Sequence, residues 1–126
     1  MINNSEMKEE NIVREKSYAF ALRIVKAYKY LAEEKKEYVL SKQLLRCGTS
    51  VGANIEEAIG GQSPKDFFAK LNVSYKEARE TMYWLRLLKD SDILNEKEAD
   101  SLMNNCDELL KIIGTIIKTM KIKLNA

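Results

Sequence analysis

Apolar residues recur at three- and four-residue steps in four separate stretches, the spacing that lines one face of a helix. The first, about 9–34, carries Tyr18, Ala21, Leu22, Val25, Tyr28 and Ala32 as its principal row. Phe20, Ile24, Ala27 and Leu31 widen that row, which predicts contacts on more than one side of the helix. The second, about 39–59, has Leu44, Cys47, Val51, Ile55 and Ala58. The third, about 64–89, has Phe67, Leu71, Ser74, Ala78, Met82 and Leu85, with Phe68 and Tyr75 beside them. The fourth, about 95–121, has Leu102, Cys106, Leu109, Ile113, Ile116 and Met120, flanked by Met103, Leu110 and Ile117. No stretch shows the two-residue alternation of a strand. Four long amphipathic helices with short connections predict an all-α, up-down-up-down antiparallel four-helix bundle, a single domain over 1–126.

Local signals sharpen some boundaries. Ser63 followed by Pro64 and Asp66 predicts a helix start: a hydroxyl cap, a proline where no N–H is needed, and an acid facing the helix dipole. Asn95 or Asp92 is expected to cap the fourth helix. Gly60-Gly61 follows the last periodic residue of the second helix, where a residue of positive φ is expected to end it. Between the first two helices, "AEEKKEYVLSK" is polar and holds neither glycine nor proline.

Gly48 and Gly52 lie one turn apart inside the second helix, each at a cost of about 1 kcal/mol against alanine. With Thr49, Ser50 and Ala53 they form a stretch of small side chains, which predicts close approach of another helix. Asn54 sits at the edge of the same stripe and is expected to meet a partner across a helix interface. On the third helix, Val73, Trp84 and Leu87 are placed roughly opposite the core row. Together with Phe20 and Leu31 from the broad arc of the first helix, they are the expected oligomer interface.

Composition narrows the chemistry. Histidine is absent, which removes the commonest general base and metal ligand, and with it the Ser-His-Asp, Cys-His and Glu-x-x-His di-iron schemes. No catalytic, cofactor-binding or metal-binding residue is expected. Cys47 and Cys106 lie within apolar rows and are expected to be reduced core thiols. No run is apolar enough to span a membrane, and the polar start of the chain carries no export signal, so a cytoplasmic protein without membrane contact is expected. Lysine and arginine number 21 against 19 acids, a net charge of +2, so a nucleic-acid surface has to be local. The candidate contacts are Arg23, Lys26, Lys76, Arg79, Arg86, Lys118 and Lys121. Paired acids such as Glu56-Glu57 are expected to be solvated or ion-paired. Lys76 and Glu80 form an i,i+4 pair, and tyrosines at helical spacing are expected to be packing residues.

The segment 49–94 contains S-V-G-A-N-I-x-E (Ser50 to Ile55 with Glu57), then S-x-x-D-F (Ser63, Asp66, Phe67), then K-E-A-x-E-T-x-Y-W-L-x-L-L (Lys76 to Thr81 with Tyr83 to Leu88). These motifs resemble those of the four-helix bundle family of 23S rRNA intervening-sequence proteins, whose relatives include the accessory variability determinant protein of diversity-generating retroelements. The resemblance implies a four-helix protomer assembled as a homopentameric ring. For the retroelement relatives it implies a basic surface that binds nucleic acid and a reverse transcriptase partner. It supplies no catalytic residues. The expectation is a non-enzymatic homo-oligomer that scaffolds RNA or DNA; the alternative is a scaffold for another protein that binds no nucleic acid.

Overall fold

The computed structural model describes residues 4–125, and these form four helices and no strand. They are α1 (Asn4–Glu33), α2 (Leu40–Ile59), α3 (Pro64–Asp90) and α4 (Glu96–Asn125). Helix α1 packs on α2 and α4, and α3 packs on the same two, so α1 and α3 are diagonal. Every neighbouring pair is antiparallel. Arg14 meets Glu56 and Ile24 meets Gly48 across α1/α2. Ser74 meets Val51 and Arg46 meets Glu77 across α2/α3. Cys106 meets Ala78 and Lys89 meets Asp100 across α3/α4, while Lys16 meets Glu108 across α1/α4.

Each helix end has its own chemistry. The Ser63 hydroxyl accepts the Asp66 N–H at 3.1 Å, with Pro64 at the first helical position. Asn95 Oδ1 accepts the Glu98 N–H at 2.8 Å, so it is the cap of α4. Asp92 instead takes a left-handed φ of 58° in the preceding turn. The turn after α1 has no glycine, and Lys36 supplies its left-handed residue at φ 56°. Glu37 then folds its carboxylate back over the start of α2, accepting N–H bonds from Val39, Leu40 and Ser41. Gly60 and Gly61 correct the expectation of positive φ, which no glycine among the described residues adopts. Gly61 is needed for space: a Cβ there would lie 3.0 Å from the Ala58 carbonyl oxygen.

The core shows which of two apolar rows turns inward on α1. Val13, Ser17, Phe20, Ile24, Ala27 and Leu31 are buried. The row that looked principal in the sequence runs along the flank: Tyr18 is 65% exposed and Leu22 57%, and Val25 is exposed too. Phe20 and Leu31, at 2% and 0%, therefore belong to the protomer core and not to an oligomer interface. The cause lies on α2. A Cβ on Gly48 would sit 2.8 Å from both Cγ1 and Cγ2 of Ile24, and one on Gly52 would sit 3.3 Å from the Ser17 carbonyl oxygen. The missing side chains of α2 form a channel that receives the Ser17–Ile24 row. Asn54 does not reach across a helix interface; it donates to the Ser50 carbonyl of its own helix at 2.9 Å. The polar tie between α2 and α3 is the buried Ser74 hydroxyl, donating to the Val51 carbonyl at 2.8 Å.

A candidate nucleic-acid interface on the third helix

The outer surface of α3 is divided into neighbouring heptad rows. Val73, Glu80 and Leu87 form one, Lys76 and Tyr83 the next, Arg79 and Arg86 a third. Helical rotation of 100° per residue places the first row toward α2 and the third toward α4. Glu77 and Glu80 turn toward α2, where Arg46 meets them, whereas Asp90, exposed at the end of the helix, shares the row of Lys76 and Tyr83. Arg46 Nη1 lies 3.1 Å from Glu77 Oε2, and its Nη2 pairs with Glu80. Glu80 also accepts the indole N–H of Trp84 at 2.9 Å. The Trp84 bond, with Arg46 beside it, holds the Glu80 carboxyl below the ordinary value despite partial desolvation. Glu80 in turn raises Arg46 above the ordinary arginine value.

With Glu77 and Glu80 engaged on the α2 side, the rows beyond them carry Lys76, Arg79 and Arg86 against a single acid, Asp90, at the helix end. Lys76, Arg79 and Arg86 are exposed and form no ion pair among the described residues. The sequence-expected Lys76–Glu80 pair does not form; Glu80 Oε2 instead accepts from both Arg46 and Trp84. Tyr83 stands between Arg79 and Arg86 and is 55% exposed. Its ring meets the Trp84 ring at 5.2 Å between centroids and 77° between planes, an edge-to-face contact. Trp84 is half-buried against the core instead of standing opposite it. Of its expected interface companions, Val73 is exposed and Leu87 half-buried.

The remaining candidate cations lie elsewhere. Arg23 is engaged across α1/α4 by Asn105 and Glu98. Lys26 is exposed on α1, the helix diagonal to α3. The α3/α4 register, fixed by Cys106 on Ala78 and by Gly114 facing Tyr75, carries Lys118 and Lys121 past Tyr75 toward the start of α3. Of the seven, Lys76, Arg79 and Arg86 share the outer face of α3, and Lys118 and Lys121 stand one turn apart on α4. Sequence reasoning missed Arg46, which holds Glu77 and Glu80 beside the α3 surface, and Tyr83, which lies in it. The signal for Tyr83 was its place one heptad after Lys76 and between two arginines.

At one end of the bundle, a cleft of about 490 Å³ opens where all four helices meet the α2–α3 connection, with Phe67, Ile116 and Met120 in its wall and Glu6, Glu9 and Glu10 among its lining residues. Burial raises the Glu10 carboxyl, and Glu6 pairs with Lys123. Among the described residues, no group of three or more His, Cys, Asp or Glu gathers to hold a metal ion. No described helix is long and apolar enough to cross a membrane. Burial pushes the Cys47 thiol up to about 11 and the Cys106 thiol up to about 12.

Comparison with known proteins agrees with this architecture. No curated protein matches the chain. A crystal structure of a protein of unknown function from the S23 ribosomal protein family of Bacteroides thetaiotaomicron is similar, with 49% identity and a TM-score of 0.86. The match covers 87% of this chain and 98% of that one. A family model described as 23S rRNA-intervening sequence protein matches residues 9–115. The chain belongs to the 23S rRNA intervening-sequence protein family.

Proposed function

We propose that this chain is a non-enzymatic, cytoplasmic, self-associating bundle that binds RNA or DNA through phosphate contacts along α3. The observation that carries this reading is the set of exposed cations Lys76, Arg79 and Arg86, none of which forms an ion pair among the described residues. Ten residues of helix spread these cations over about 15 Å, enough to meet successive phosphates. An unpaired exposed cation keeps its whole attraction for phosphate, and binding gains from released counterions. Three such contacts give a slope of log affinity against log salt of about −2 to −3 per protomer. In an assembly the row is repeated, and repeated contacts multiply affinity. The exposed Tyr18, Leu22 and Val25 row on α1 supports self-association, and the motif resemblance supports a ring of five. The resemblance to accessory variability determinant proteins favours a nucleic-acid ligand.

The test is fluorescence anisotropy with a labelled structured RNA over a salt series. The expected result is salt-dependent binding that the Arg79→Ala/Arg86→Ala variant weakens, with a shallower slope. Binding that ignores both salt and the two substitutions would sink the reading. A second reading, a scaffold for another protein, draws on the same α1 row, because apolar contact resists salt. Light scattering at low and high salt separates the parts of the proposal. A mass near five times 14.5 kDa in both supports the ring, whereas a stable monomer removes it.

A further inference from the structure

We infer that the α3 surface selects unpaired nucleotides, with Tyr83 as the platform on which a base stacks. This rests on the phosphate-binding reading of the same row. A cationic row alone does not distinguish a duplex from a single strand, since both present phosphates. An aromatic face set among the cations does, because only an unpaired base can leave its stack and lie on a side-chain ring. Tyr83 is so placed: Arg79 precedes it by four residues, Arg86 follows by three, and all three are exposed. The side chain is also held in position. Trp84 meets its ring perpendicularly, and the Trp84 indole is tied to Glu80, which is tied to Arg46. A perpendicular contact occupies an edge or one face of Tyr83 and leaves a face open, in keeping with its 55% exposure. An ordered aromatic gives up little freedom on stacking, so the platform is preorganised.

The experiment compares a single-stranded RNA and a duplex of equal length by anisotropy, for the full chain and for Tyr83→Ala and Tyr83→Phe. The expected result is tighter binding of the single strand. Tyr83→Ala should weaken single-strand binding about tenfold, the order for removal of one base–aromatic stack, and leave the duplex unchanged. Tyr83→Phe should bind as the parent does, since it keeps the π face. Emission of the single tryptophan, Trp84, should change with the single strand only. Salt-dependent duplex binding that needs Arg79 and Arg86, with no effect of Tyr83→Ala on the single strand, would overturn the stacking role and leave the phosphate reading standing. Absence of binding to either probe would overturn both. A fall in assembly mass for Tyr83→Ala would assign Tyr83 to contact between copies and overturn the inference as well.

Discussion

Alanine at each of three helical glycines should separate backbone propensity from steric contact. Replacing glycine in a helix interior gains about 1 kcal/mol, because the unfolded chain loses freedom. At Gly114 a Cβ would meet Tyr75 Cε2 at 3.5 Å, an ordinary contact, so Gly114→Ala should stabilise by about that amount. At Gly52 the neighbours are the Ser17 carbonyl oxygen at 3.3 Å and the Ser17 hydroxyl at 3.4 Å. The backbone of α1 must give slightly, and Gly52→Ala should fall within about 0.5 kcal/mol of the parent. At Gly48 the new carbon would lie 2.8 Å from Cγ1 and from Cγ2 of Ile24. Branching at Cβ means that rotation cannot clear both carbons. Overpacking of this kind costs about 1–3 kcal/mol, which exceeds the propensity gain, so the net loss should reach about 1–2 kcal/mol.

Urea unfolding with linear extrapolation reads all three, at one protein concentration because association shifts apparent stability. The control is Ile24→Ala, which removes the obstructing carbons. It should cost about 2–5 kcal/mol alone, and in that background Gly48→Ala should become stabilising. Gly48→Ala as stable as Gly114→Ala, or the same Gly48→Ala effect with and without Ile24, would refute the idea that the α2 glycines select the inward row of α1.

Burial pushes the Glu37 carboxyl up, but its bonds from Ser41, Leu40 and Val39 outweigh this and set it below the ordinary 4.5. Its contribution is therefore present above that value and lost as pH falls through the folded-state pKa. The stability gap between parent and Glu37→Gln, about 1 kcal/mol near neutrality, should close on acidification. The thiols behave oppositely: raised from 9.0 to about 11 and about 12, chiefly by burial, they favour the fold below about pH 9 and less as pH climbs toward 11. At mildly alkaline pH, a thiol reagent should label Cys47 and Cys106 only as fast as the bundle opens, and rapid labelling of the native protein would contradict their burial. Ser63→Ala should cost about 1 kcal/mol by calorimetry, through the orphaned Asp66 N–H.

The inward stripe of α2 was legible in the sequence because its five positions form one row at three- and four-residue steps, with Leu40, Leu45 and Ile59 only toward the helix ends and no second complete row. Each of Leu44, Cys47, Val51, Ile55 and Ala58 is buried. On α1 two apolar rows compete, and a single helix holds no information about which one its neighbours will cover. That choice lives in the Gly48–Ile24 contact between helices. Trp84 was misplaced for a related reason. Its angle from the core row of α3 puts it in the groove beside α2, where a large ring is half-covered. The cationic surface was illegible in bulk charge, since nearly every cation has an acid to offset it. It became visible only when Lys76, Arg79 and Arg86 were seen exposed without ion-pair partners, and Glu77 and Glu80 were seen held by Arg46 on another helix.

That displacement of acid makes Arg46 the residue whose removal should report on the surface without touching it. The two carboxylates it holds are exposed or partly so, and pairs of this kind contribute up to about 1 kcal/mol, so Arg46→Ala should remain folded. Without Arg46, Glu80 is free to turn one helical step back to Lys76, the i,i+4 neighbour that it ignores in the parent. One cation of the row would then be neutralised, and the row would reach one phosphate fewer. The salt slope should become shallower by about 0.7 to 0.9, although Lys76, Arg79 and Arg86 are all still present. Trp84 loses part of the anchor that orients it, so its emission should shift toward that of a more solvated indole. Arg46→Lys keeps the charge but not the planar fork that spans Glu77 and Glu80, and should fall between the two. An unchanged salt slope in Arg46→Ala, with Trp84 emission shifted, would mean that Glu80 does not turn to Lys76 and that Arg46 has no control over the outer row.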